Sequence, residues 1–333
     1  MTAAVSTSSP PRGHGLRPFN ARRDMGALAD LIETAFAQQL DSAGRQMVAG
    51  MRILSRLGWL GWLLSRWLLP PAANPIGYVW EEEGRVVGNA SLMPVRNYER
   101  RWVIANVAVQ EGFRRRGIAG QLVEAAIAAA RKRGARQVIL QVDRENQAAR
   151  ELYHRYGFQT LADRTTWVRP HGLAPMPAVD TAHARPREPG EWHEQLALAR
   201  RLHPEGLIWP FPTVASLFRP RAMAGWPALN PQSHWVWRTE GRIQGSLSLR
   251  PGIEPGLQRL VLVVEPTFRD QAEGALLDCV LEKPVSRRMA YILDYETGCG
   301  ETILRERGFE PRRGLLWMGL DLAPQETIRE SSA

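Results

Sequence analysis

Cysteine, lysine and uncharged apolar runs are all scarce in this 333-residue chain. Each scarcity excludes something. Two cysteines, Cys279 and Cys299, cannot build a disulfide framework, and they lack the paired spacing of a zinc ligand set. The seven histidines form no HExxH-like cluster, so no metal is expected. Lysine occurs only at Lys132 and Lys283, which makes the basic excess almost wholly arginine. An arginine bias of that kind often follows genome base composition, so it is weak support for a nucleic-acid partner. No helix-turn-helix, zinc or RNP motif adds to it, and no nucleic-acid partner is expected. The N-terminal MTAAVSTSSPPRGHG has no apolar core, so it reads as a disordered tail over 1–14 and not as a signal peptide. Cytoplasmic residence is the expected default.

The most apolar segment, residues 51–69, holds Trp59, Trp62 and Trp67 but is broken by Arg52, Arg56 and Arg66. A spanning helix needs about 20 mostly uncharged residues, so this segment is not expected to cross a membrane. A helix in the core or lining a pocket is expected, with membrane-surface contact as the alternative.

What is present is unevenly arranged. Of the 43 Arg+Lys and 34 Asp+Glu, residues 1–169 hold 24 and 14, a balance of +10. The remaining 19 and 20 leave −1. An anionic partner therefore belongs with the first half. Periodicity predicts strands at 16–20, 76–80, 84–93, 101–109, 137–142 and 165–168, and helices at 25–39, 117–133 and 148–156. Residues 171–182 are Pro-rich and read as a linker.

The pattern then repeats. YVWEEEGRVVGNASL (78–92) matches WVWRTEGRIQGSLSL (235–249) at an offset of 157. NVAVQEGFR (106–114) matches VLVVEPTFR (261–269) at 155, and 142–158 matches 293–309 at 151. Three matches in one order indicate an internal duplication of about 150 residues. The expected domains are 15–170 and 183–323, followed by a tail over 324–333.

The most informative stretch is ANVAVQEGFRRRGIAGQLVEAAI, residues 105–127. A strand ends in a loop with Arg114, Arg115, Arg116 and Gly117, and a helix follows through Ile118, Ala119 and Gly120. A helix N-terminus leaves N–H groups unpaired and its dipole favours an anion. Gly117 and Ala119 let a pyrophosphate approach the backbone, and arginines attract it.

These residues resemble the acyl-CoA-binding signature of the GNAT superfamily of N-acyltransferases. The signature is [RQ]-x-x-G-x-[GA] after a V-x-V strand; here it is Arg114-x-x-Gly117-x-Ala119 after Val107-Ala108-Val109. A downstream N-x-x-A-x-x-L-Y-x-x-x-G-F is also present, as Asn146, Ala149, Leu152, Tyr153, Gly157 and Phe158. Glu111 departs from the proline frequent in the family. The resemblance covers 15–170 fully and 183–323 faintly. It implies a mixed α/β three-layer GNAT fold in two tandem copies, each a mixed sheet flanked by helices. It also implies acetyl-CoA as cosubstrate and an amine acceptor. A bulged strand would splay from its neighbour and pair with pantetheine near Val107 and Val109, and an N–H near Val109 would face the thioester oxygen. Tyr153 would protonate the leaving thiolate, and Asn146 would contact the CoA arm.

The general base stays open among Glu81, Glu82, Glu83, Glu99, Glu111, His154 or a water relay. The second copy has Ala272 over Gly117, Leu304 over Tyr153 and Thr297 over Asn146. It is expected to keep the fold without the transfer. A non-catalytic acyl-CoA-binding module, membrane-associated through 51–69, is the alternative function.

Overall fold

The computed structural model describes residues 13–37, 42–56, 76–95, 98, 100–175, 183–207, 217–219, 233–252 and 255–322. The tails at 1–12 and 323–333, most of the Trp-rich segment (57–69), Glu99 and linker residues 176–182 lie outside them.

In the first half, β1 (Gly15–Pro18) leads to α1 (Ala21–Ala35) and α2 (Ser42–Arg56). Next come β2 (Ile76–Glu82), β3 (Arg85–Pro94), β4 (Arg101–Val109), α3 (Ile118–Lys132), β5 (Gln137–Asp143), α4 (Gln147–Arg155) and β6 (Gln159–Arg169). The second half repeats that order. It runs β7 (Ala184–Pro186), α5 (Trp192–Leu202), β8 (Ser233–Thr239), β9 (Arg242–Pro251), β10 (Leu257–Val264), α6 (Arg269–Leu281), β11 (Ala290–Glu296), α7 (Glu301–Glu306) and β12 (Glu310–Asp321).

Two compact units result, and they interleave along the chain. The first takes the described residues up to Leu140, then His154–Phe158, then those from Gly319 onward. The second takes Gln141–Tyr153 and Gln159–Met318. In the first, strand order is β1-β2-β3-β4-β5, antiparallel except for the parallel β4–β5 pair. In the second, the order is β12-β6-β11-β10-β9-β8-β7, with β10 and β11 parallel. This is the mixed α/β architecture expected.

Local chemistry sets the elements. α1 starts at Ala21, earlier than periodicity alone suggests, because Asn20 caps it: its Oδ1 accepts from the Arg22 N–H at 3.0 Å. Gly134, at φ 75°, ends α3, with its N–H on the Arg131 carbonyl. β6 is longer than its apolar run, because Arg164–Arg169 all pair with β11. β7 and α5 carry no strong hydrophobic pattern. The capping box Glu188–Glu191 with Pro189 at the first turn was their sequence signal. The α3 stripe of Leu122, Val123, Ala126, Ile127 and Ala130 is buried. Gly88 lets that helix close on the sheet: a Cβ there would lie 3.0 Å from Leu122 Cδ1 and 3.1 Å from Ile118 Cγ2. In the second unit Trp235 and Trp237 belong to the core around Leu247 and Leu276. Trp209, Phe211 and Trp226 lie outside the described residues.

The repeat is visible in backbone detail. The β2–β3 register shifts between Trp80 and Glu81, and the β8–β9 register between Trp237 and Arg238, 157 residues on. Glu83 and Glu240 both take positive φ, at 49° and 51°, each followed by a left-handed glycine.

Candidate active site

The first unit holds the end of β4 and the loop into α3. Opposite β3, β4 carries a bulge: Asn89 pairs with Ala108 but Ser91 with Ala105, so Asn106 and Val107 together face Ala90. Asn106 takes φ 53°, a left-handed conformation that asparagine tolerates. On the other side, β4 pairs with β5 only from Arg101 to Val103. Ile104 to Val109 therefore carry no ladder to β5. Ala108 and Val109 are buried and Val107 is half-buried.

Beyond Val109 a 3-10 turn at Glu111–Phe113 leads to the arginine loop. Arg114 folds back, its Nε donating to the Val109 carbonyl at 3.1 Å. Arg116 Nη2 donates to the Gly112 carbonyl at 3.2 Å, and its guanidinium lies 5.0 Å from the Phe113 ring centre. These two arginines shape the loop, and all three are exposed. Arg115 (φ 62°) and Gly117 (φ 77°) both take the left-handed conformation. Gly117 is the N-cap of α3 and supplies no side-chain cap. The first helical N–H groups, at Ile118, Ala119 and Gly120, thus have no side-chain cap. Gly120 keeps space beside Tyr156: a Cβ there would lie 2.9 Å from the Tyr156 hydroxyl.

Asn146, Ala149 and Tyr153 belong to the second unit. Asn146 caps α4, its Oδ1 accepting from the Ala149 N–H at 3.1 Å. Tyr153 is buried, and that burial pushes its phenol up to about 12, so the hydroxyl carries its proton throughout the neutral range.

The structure narrows the search for a base. Glu81 is buried. Burial alone would raise its carboxyl, but Arg17 and Arg23 hold it below the usual carboxylate range. Arg17 also binds Asp24 through both terminal nitrogens, at 2.7 and 2.8 Å. Glu81 is thus committed to the β1–α1–β2 corner. Glu82 pairs with His14, and His154 Nδ1 hydrogen-bonds to the Phe158 carbonyl at 3.0 Å. Glu111 is exposed in the turn. Among the described residues no group of three or more His, Cys, Asp or Glu could hold a metal ion, and no helix is long and apolar enough to cross a membrane.

The same region of the second copy is built differently. β9 and β10 pair in one unbroken register from Gln258–Pro251 to Val264–Gly245, with no bulge in β10. Arg269, over Arg114, is tied to Glu296 at 2.6 Å and donates to Cys299 Sγ at 2.8 Å. Glu273 is buried at the start of α6 and accepts from the Tyr295 hydroxyl at 2.5 Å. Its carboxyl is raised by burial. Its Oε2 occupies the space over Gly300, 2.7 Å from where a Cβ would sit.

Residues 55–158 match the model of the acetyltransferase (GNAT) family. An uncharacterized N-acetyltransferase of Methanocaldococcus jannaschii is 36% identical over 115 residues, 33% of this chain and 50% of that protein. The chain therefore spans about half of that relative's length. A GCN5-related N-acetyltransferase from Sphaerobacter thermophilus shares the fold at TM-score 0.61 and 17% identity, covering 94% of this chain and 97% of that one. A tandem GNAT protein from the clavulanic acid biosynthesis pathway does so at 0.54 and 19%, covering 92% and 98%. Residues 55–158 are thus similar to a GNAT acetyltransferase domain.

Proposed function

We propose that the chain transfers an acetyl group from acetyl-CoA to a primary amine of a small molecule or peptide, at one site built on the first copy. The observation that carries this reading is the bulged, half-unladdered end of β4 running into an N-terminus of α3 that has no side-chain cap. Acetyl-CoA supplies an activated thioester. The N–H groups at Gly117–Gly120 and the arginine loop suit its pyrophosphate. The unladdered backbone from Val107 to Val109 suits the amide groups of its arm.

In the proposed chemistry a neutral amine attacks the thioester carbonyl. An N–H near Val109 stabilises the oxygen as charge develops there. The C–N bond forms, the C–S bond breaks, and the thiolate takes the proton of Tyr153. The new amide nitrogen loses its extra proton to solvent. The second copy, with an unbulged β10, Glu273 at the helix start and Leu304 in place of tyrosine, is proposed to carry no transfer.

Release of free thiol from acetyl-CoA, followed across a panel of amines and peptides, tests this reading. Turnover with one acceptor class, lost in Tyr153→Phe, supports it. CoA binding without release for any acceptor would favour a non-catalytic acyl-CoA-binding module.

A further inference from the structure

The β4 bulge is the feature on which the proposed site depends, and it costs the fold something to make. Two residues of β4 leave the ladder, and Asn106 sits at φ 53°. One side chain reaches across to hold it. Asn89, on β3 and only 1% exposed, donates through Nδ2 to the Asn106 carbonyl at 2.9 Å and to Ser91 Oγ at 3.1 Å. A carbonyl acceptor fixes which end of the amide faces β4, so Nδ2 is the end that makes this bond. The other end, Oδ1, is buried with no hydrogen-bond partner among the described residues.

The duplication supplies an internal control. The hairpin bulge after Trp80 recurs to the residue after Trp237, so the repeat conserves strand irregularities where nothing opposes them. The β4 bulge does not recur. At the 157 offset Asn89 becomes Ser246, which is equally buried but whose short side chain leaves Oγ without a partner. At the 155 offset Asn106 becomes Val261, a β-branched residue that resists positive φ. Ser246 pairs with Val263 in an unbroken register, the counterpart of the Asn89–Ala108 pair. The bulge and the two asparagines are present together in one copy and absent together from the other.

We infer that Asn89 is a positioning residue that holds the left-handed Asn106 and so keeps β4 open for acyl-CoA, and that its loss in the second copy is part of why that copy has no such site. This rests on the acyl-CoA reading above. It requires no contact between Asn89 and the cosubstrate.

The test uses the full chain and two readouts: calorimetric titration with CoA, and amide hydrogen exchange at residues 106–108. The variants are Asn89→Ser and Asn106→Val, which install the second copy's residues, and the double variant Asn89→Ser/Asn106→Gly. Glycine adopts positive φ without a strap. Thermal melting checks that each variant folds. The expected result is a CoA affinity about ten-fold weaker in Asn89→Ser, the size of one lost hydrogen bond. Asn106→Val should be weaker still, with slowed exchange at 106–108 as the strand straightens. The double variant, with glycine at position 106, should recover most of the affinity. Unchanged CoA binding in a folded Asn89→Ser overturns the inference, as does a loss that glycine at position 106 fails to restore. Wild-type protein that binds no CoA defeats the acyl-CoA reading instead. Exchange at 106–108 then still judges whether Asn89 holds the bulge.

Discussion

Single side chains divide into those committed to the fold and those proposed for the chemistry. Arg17 stands in the first group, between buried Asp24 and buried Glu81. Arg17→Met would strand two buried carboxylates, so unfolding free energy should fall by about 3 kcal/mol, read by urea denaturation. Because Arg17 and Arg23 hold Glu81 below its ordinary range, its contribution is fully present above about pH 4.5 and lost as pH falls through the depressed value. Two histidines act earlier on the acid side. Burial, and to a lesser degree neighbouring arginines, lower His203 to about 4 and His234 to about 3, from 6.5. The unfolded chain binds those protons first, so stability should begin to fall just below pH 6.5 and keep falling toward pH 4. Denaturation midpoints at pH 7, 6 and 5 check this, and a flat profile would contradict it. Tyr153 is the side chain proposed to serve the transfer. Tyr153→Phe should lower kcat by at least about 100-fold while leaving CoA affinity unchanged, as expected for loss of a general acid.

Between elements, glycine sets how closely backbones approach. Gly77 on β2 lies under β3, and a Cβ there would be 2.5 Å from the Ala90 carbonyl oxygen. Backbone cannot step aside as a side chain can, so Gly77→Ala should cost about 2 kcal/mol of stability by differential melting. Gly117 has open space around its Cβ position but sits at φ +77°. Gly117→Ala therefore tests conformation alone: about 1 kcal/mol of strain at the loop, and weaker CoA binding without a clash. At this scale the sequence was highly legible. β4, the α3 stripe and the Gly134 cap were readable because apolar spacing and turn chemistry agree there. β7 and α5 were not, since Arg, Glu and His dilute their apolar spacing and only the capping box marks them. The candidate base was equally hidden, because whether a glutamate is free or tied depends on partners such as Arg17, 64 residues away.

Across the whole molecule, the order of elements was legible but the exchange of segments between units was not. Periodicity reports local pattern and carries no information about which strands pair at long range. The end of β12 lies with the first unit: Gln137 Nε2 donates to Asp321 at 2.9 Å, and the Leu322 N–H donates to the Arg136 carbonyl at 2.7 Å. A chain cut after residue 170 would lose those bonds and expose an edge of β5. It should be poorly soluble or lack a cooperative melt, whereas the full-length protein should melt cooperatively. A well-folded 1–170 fragment would contradict that.

The duplication and the differences between its copies meet in one number, the CoA stoichiometry of the full chain. Calorimetric titration should give one CoA per chain, with binding weakened by Gly117→Ala and indifferent to substitution of Arg269. A stoichiometry of two would show that the second copy retains a site despite its unbulged β10 and buried Glu273. A stoichiometry of zero would remove the acyl-CoA reading altogether.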